Sequence, residues 1–256
     1  MVGFIFGHVG DDPAVFESVL APAEPGALPR CLCTGILELP GTSRFGACVR
    51  VSPEWILTAH HVVDIPDLAA RFQARFGALG PSGEGAVQYG LEARDFFCSD
   101  DGIQGPHGDR FELDYAFVRV HGPVQAGDPS IPNLPKANGG VPRPGTLVRV
   151  PMRGDDGLLR FAVNRPTAAY PTAGRVVAFD DCYLFHQRST LEGASGAPIF
   201  DEAWVLMGIH THGFFYKDPD PLRRDNNWGV RITQIVADAR KRGFAFLAEI
   251  ASLRDL

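Results

Sequence analysis

The stretch Thr190 to Phe200 reads TLEGASGAPIF and sets Ser195 beside Gly196, two residues after Gly193. A serine hydroxyl is a weak nucleophile by itself. To attack a carbonyl it needs a base, a group that orients the base, and donors for the charge that forms on the oxygen. Two upstream stretches offer the first two. WILTAHHVV, Trp55 to Val63, runs an apolar strand into His60 and His61, and LDYAFVRV, Leu113 to Val120, places Asp114 at the start of another. A carboxylate there is costly to bury unless hydrogen-bonded, and a histidine N–H is a partner that would also give it a task. Each residue has a plainer reading. Ser195 suits a turn, the histidine pair suits a helix start, and Asp114 suits a strand cap, with Asp101 and Asp109 nearby as rivals. An α/β-hydrolase elbow fits poorly, because its second glycine would fall at Ala197 and Pro198 opposes the helix that should follow.

Taken in order, the three stretches resemble those of the trypsin-like, chymotrypsin-fold serine peptidases, and more closely the bacterial glutamyl-endopeptidase (V8-like) branch. WILTAHHVV is similar to that family's strand-Thr-Ala-Ala-His-Val-Val, with His61 in the catalytic place and His60 where a small residue is usual. DYAFVRV matches its Asp-led apolar run and GASGAP its Gly-x-Ser-Gly-x-Pro. The resemblance implies a triad of His61, Asp114 and Ser195, in the family's chain order. It also implies an oxyanion hole from the N–H groups of Gly193 and Ser195, an acyl-enzyme route, a protein or peptide substrate, and neither cofactor nor metal.

Specificity follows from the same resemblance. Ser189 stands six residues before Ser195, where trypsin-type enzymes that select Lys or Arg carry an acid. Thr190, five before, and His210, fifteen after, stand where the glutamyl endopeptidases bind a P1 carboxylate, so an acidic P1 is expected. Glu192 at the rim would oppose it. Gly213 would leave room for a substrate to add as an extended strand. His212 shares a strand face with His210, yet that pair lacks further zinc ligands in the sequence. Ala194 replaces the Asp of trypsin-type zymogens, and Val62 replaces the Cys common beside the catalytic histidine. Control by an N-terminal extension or a regulatory partner protein is therefore expected. The rival reading is a catalytically silent trypsin-like domain that binds peptides or partners.

The elements that must position these residues are strands. Gly and Pro number 29 and 21, and short alternating apolar runs recur between them. The pattern predicts an antiparallel all-β fold of two β domains with a C-terminal helix, and the resemblance implies that the domains are two packed six-stranded antiparallel β-barrels, chymotrypsin-like. Expected strands of the first barrel include Trp55 to Thr58 and Ala86 to Leu91; those of the second include Leu147 to Pro151, Arg160 to Val163, Tyr183 to His186 and Pro198 to Phe200. The boundaries run 1–30 extension, 31–128 first barrel, 129–145 Pro- and Gly-rich linker, 146–232 second barrel and 233–256 helical segment. From Thr233 the apolar spacing turns helical, with a break expected at Gly243 and packing on the second barrel.

Composition narrows the class. A formal charge of −6, with Lys and Arg scattered, argues against a nucleic-acid partner. The N-terminal apolar run is interrupted by His8, Asp11 and Asp12, so neither a leader nor a membrane span is expected. Five cysteines without C-x-x-C spacing suit buried thiols in a cytoplasmic protein.

Overall fold

A computed structural model describes residues 16–18, 27–43, 45–77, 85–99, 113–137, 139–140, 142–153, 159–162, 174–213 and 219–256. The chain opens with β1 (Phe16–Ser18) and the short helix α1 (Ala27–Cys31). It continues into β2 (Thr34–Glu38), β3 (Phe45–Arg50), β4 (Trp55–Thr58), the one-turn helices α2 (His60–Val63) and α3 (Pro66–Ala69), β5 (Gln73–Phe76), β6 (Val87–Cys98) and β7 (Ala116–Val120). These six strands from β2 to β7 form a closed antiparallel barrel in the order β2-β3-β4-β7-β6-β5. Closure leaves no free edge and turns one side chain in two inward. Leu37, Ile56, Phe72, Phe76 and Val118 fill it.

Strand β6 runs seven residues past its expected end at Leu91, to Cys98. Its register against β7 shifts between Leu91 and Phe96, so the polar run Glu92 to Asp95 is carried as an irregularity inside one strand. Beyond the barrel, buried Arg50 lies 3.4 Å from buried Asp128, whose carboxylate also accepts from Tyr89 and Ser130. This cluster anchors the start of the linker to the first barrel.

The second half comprises β8 (Lys136–Ala137), β9 (Met152–Arg153), β10 (Leu159–Ala162), β11 (Val176–Phe179), β12 (Tyr183–His186), β13 (Pro198–Phe200), β14 (Val205–His212), α4 (Pro221–Asp225) and β15 (Asn227–Arg231). The main sheet runs β11-β12-β15-β14-β13, with β8 added parallel to β14. Leu147 to Pro151 does not form the regular ladder expected. Leu147 bridges Arg175 at one end of the sheet and Arg149 bridges Phe200 at the other. Pro151, and Pro144-Gly145 before it, shorten the run that can pair, so single bridges close this half. The strand expected at Arg160 to Val163 is also placed differently. Residues 159–162 pair with β9 and with β1 in a separate three-stranded sheet, so this part of the N-terminal extension joins the fold through strand pairing.

Helix α5 (Ile232–Lys241) packs on β14 and β15 through Ile235, Val236 and Ala239. Gly243 ends it with φ of +75°, a left-handed stop that favours glycine. The 3₁₀ turn Ala245–Glu249 and α6 (Ala251–Arg254) follow. The expectation that the whole tail packs on the second barrel needs correction. Phe246 stacks on Trp55 at 4.1 Å and lies 4.8 Å from Phe97, both first-barrel residues. The tail thus straps both halves, since its apolar residues complete a core shared by Trp55, Phe117, Phe185 and Trp228. No described helix is long and apolar enough to cross a membrane.

Candidate active site

At the end of β4 the chain leaves extended geometry at Ala59 and winds one turn. That turn separates the two histidines. His60 faces inward, and its Nε2 lies 2.7 Å from the Asp64 carbonyl. His61 faces the cleft between the halves, its side chain 32% exposed, and its Nδ1 lies 2.5 Å from Asp114 Oδ2. The His61 backbone N–H donates to the other oxygen, Oδ1, at 3.0 Å. Asp114 precedes β7 and is fully buried. Burial pushes its carboxyl up, but the charge and hydrogen bonds of His61 and the charge of His212 outweigh this and hold it below the ordinary carboxylate value. The rivals Asp101 and Asp109 lie outside the described residues.

Ser195 sits in the turn before β13. Its Oγ donates to the Thr211 carbonyl at 3.4 Å, and its own carbonyl accepts from Ala47 N–H of the first barrel at 2.8 Å. Gly46 separates that carbonyl from Val62, the neighbour of His61, so strand β3 brings the serine and histidine segments together. His212 extends the cluster, with its ring 5.5 Å from His61 and stacked on Trp228 at 4.1 Å and 7°.

The two glycines act differently. Gly193 has φ of +82°, and a Cβ there would stand 2.0 Å from Phe45 Cε2. A side chain at this position is therefore excluded both by the left-handed backbone and by the Phe45 ring. Gly196, at φ of +88°, is pressed against the first barrel: a Cβ would stand 2.1 Å from the Ala47 carbonyl oxygen and 2.3 Å from Thr58 Oγ1. Gly196→Ala is therefore expected to destabilise the protein by about 2–5 kcal/mol, from left-handed strain plus overpacking. An unchanged urea midpoint would show that the two halves part easily here.

Of the specificity candidates, Thr190 and His210 lie more deeply than a pocket wall. Thr190 is fully buried and His210 is 3% exposed. Asn227 of β15 donates to the Arg188 carbonyl at 2.7 Å and reaches Thr190 Oγ1 at 3.5 Å. Gly213 follows β14 half-buried, and Glu192 is exposed. Burial pushes His210 down to about 3, helped by the charges of His212 and His61, so its ring is neutral.

Sequence reasoning overlooked His186 and Asn227. The ring of His186 lies 5.6 Å from that of His210, and its Nδ1 accepts the Arg188 N–H at 3.2 Å. His186 Nε2, His210 Nδ1 and Asn227 Oδ1 have no hydrogen-bond partner among the described residues. The one signal available was a histidine ending the apolar strand YLFH.

His186 is held well below its ordinary value by burial, then by His210 and Arg188. A histidine neutral in the fold but protonated when unfolded costs stability as pH falls. The loss begins near the unfolded value of about 6.5 and reaches about 1.4 kcal/mol per pH unit below it. His186→Asn keeps an acceptor for the Arg188 N–H and is expected to remove one such increment from the slope between pH 6.5 and 5. Urea unfolding of both chains checks this, and parallel pH profiles would refute it.

One closed barrel and, in place of the second closed barrel expected, a half-barrel sheet packed against it define the fold of a chymotrypsin-fold serine peptidase. A profile of the trypsin-like peptidase domain matches residues 46–209, and the chain belongs to that family. No curated protein matches it. Among solved structures, a Glu endopeptidase in complex with MPD superposes with a TM-score of 0.64 at 14% identity, over 93% of this chain and 99% of that one. A scabies mite inactivated protease paralogue superposes with 0.59 at 15% identity, over 85% of this chain and 96% of that one. At such identities the likeness is one of fold, and a fold shared with an inactivated protease leaves activity to be argued from the site.

Proposed function

We propose that the protein is a serine endopeptidase in which Ser195 attacks the peptide carbonyl. His61 takes the hydroxyl proton and passes it to the leaving amine, and Asp114 fixes the tautomer and steadies the imidazolium. The N–H groups of Gly193 and Ser195 receive the oxyanion. The observation that carries this reading is the two-point grip of buried Asp114 on His61, through the ring and the backbone N–H. That grip fixes the ring through Nδ1 and turns Nε2 away from Asp114, which is what a base for a nearby hydroxyl requires.

For specificity the proposal favours an acidic P1 side chain. Thr190 Oγ1 and a neutral His210 ring offer donors below Ser195, and the region holds buried polar atoms lacking partners. A neutral imidazole still donates one N–H, so recognition would rest on hydrogen bonds more than on charge. Glu192, which would oppose an acidic P1, is exposed to solvent. Control of access by the N-terminal segment or a partner protein belongs to the same proposal.

A fluorophosphonate probe followed by peptide-library profiling tests the reading. Labelling that is lost with Ser195→Ala, together with cleavage after Glu or Asp, is the expected result. No adduct, with peptide binding retained, would favour a silent binding domain. Cleavage without acidic preference would keep the peptidase and discard the pocket.

A further inference from the structure

We propose that His61, Asp114 and His212 form a zinc site that reversibly silences the protein. Ligand atoms of the three residues lie within 4.8 Å of one another. Two imidazoles and one carboxylate form a donor set suited to a borderline first-row cation, with a fourth position left for water. The site stands on this geometry; its inhibitory effect also rests on the proposed triad, so binding and inhibition are separate measurements.

His212 is the residue that the triad does not need. Asp114 already takes two hydrogen bonds from His61, yet the Nδ1 of His212 stands 3.9 Å from the same Oδ2. Its ring is clamped flat on Trp228, which fixes the plane in which its nitrogens point. The His61 backbone N–H steadies Oδ1 of the carboxylate, as supporting hydrogen bonds do for metal-bound carboxylates, and Oδ2 is left as the ligand atom. Both imidazole side chains are partly open to solvent, at 32% and 26%, while the carboxylate is 1% exposed. An ion can therefore enter from the cleft and finish on the buried charge.

Zinc bonds of about 2.0–2.2 Å require ligand atoms about 3.3–3.5 Å apart, so the widest pair must close and the 2.5 Å His61–Asp114 contact must open, each by about 1 Å. Side-chain rotation at the exposed His61 ring can supply that movement. A zinc bond to Nδ1 moves the single ring proton of neutral His61 from Nδ1 to Nε2 by exchange with solvent, and a bond to Nε2 leaves that proton on Nδ1 facing Asp114. Either imidazole nitrogen gives the same outcome for catalysis. A metal on Nδ1 leaves the remaining proton on Nε2, where the acceptor for Ser195 should be, and a metal on Nε2 occupies that acceptor directly.

The test titrates zinc chloride into the full chain carrying Ser195→Ala, so that no turnover intervenes. One ion per chain is expected, with the His61 and His212 imidazole NMR signals shifting together. Adding His212→Ala should weaken binding by about 100-fold or more, since loss of a mere supporting partner of a metal ligand already costs about 10–100-fold. His121→Ala, which removes an exposed histidine paired with Glu92, should leave binding unchanged. Should the His212 variant fail to fold, His61→Ala carries the same expectation. Binding only in the millimolar range, binding indifferent to His212, or binding abolished by His121→Ala would each overturn the site. In the native chain, inhibition should track occupancy and be reversed by EDTA. His212-dependent binding in a chain with no peptidase activity would support the site and count against the triad reading.

Discussion

Ser195→Ala is expected to lower kcat/KM for a cleaved peptide by about 10⁵–10⁶-fold, as loss of the nucleophile does in triad enzymes. Without Oγ no acyl-enzyme forms, and the His61 base has no hydroxyl to deprotonate; what remains is direct attack by water under the oxyanion donors. The same change should leave stability nearly untouched, since Oγ makes one long hydrogen bond, 3.4 Å to the Thr211 carbonyl. Turnover of the best library peptide and a thermal melt separate the two effects. Residual activity within about tenfold of the native chain would remove Ser195 from the nucleophile role, whereas a collapsed melt would mean that the variant reports on folding instead.

Asp114→Asn is expected to lower kcat by about 10⁴-fold, the size seen when a triad carboxylate becomes an amide. Here the geometry says why the amide cannot simply substitute. Oδ1 accepts the His61 backbone N–H at 3.0 Å, and an asparagine must keep its carbonyl oxygen there to satisfy that donor. Its NH₂ group is then forced toward His61 Nδ1, at the place where Oδ2 now stands at 2.5 Å. Nδ1 must become the acceptor, and the ring proton moves to Nε2. A base whose free nitrogen has turned into a donor cannot take the Ser195 proton. Nitrogen-15 shifts of His61 in the Asn variant should show the inverted tautomer, and an unchanged tautomer with unchanged kcat would contradict the proposed role of Asp114.

Some strands were plain in the sequence and others were not, for physical reasons. Trp55 to Thr58, Tyr183 to His186 and Pro198 to Phe200 have the expected bounds, being aromatic or β-branched runs confined by turns. The far half of β6 was hidden, because Glu92 to Asp95 reads as a loop and only pairing with β7 makes it strand. Residues 159–162 have strand character wherever they go, and nothing local says that β1 and β9 claim them. At the site, motif and order pointed to His61 and Asp114, while the distinction from His60 became physical only through the Asp64 carbonyl and the one-turn helix. His186 and Asn227 escaped notice because their role depends on neighbours across the sheet, His210 and Thr190, which sequence spacing does not connect.

The hydrogen bond from Ala47 to the Ser195 carbonyl, with Gly196 seated on Ala47 and Thr58, has a consequence for the newborn chain. The half made first contains His61 and Asp114, the base and acid of the proposed triad; the half made last contains Ser195 but shapes its loop against a wall it does not own. On the proposed mechanism, hydrolytic competence arrives only after both halves have been made and have docked. On the same mechanism, a chain still being made is harmless to the proteins around it by construction.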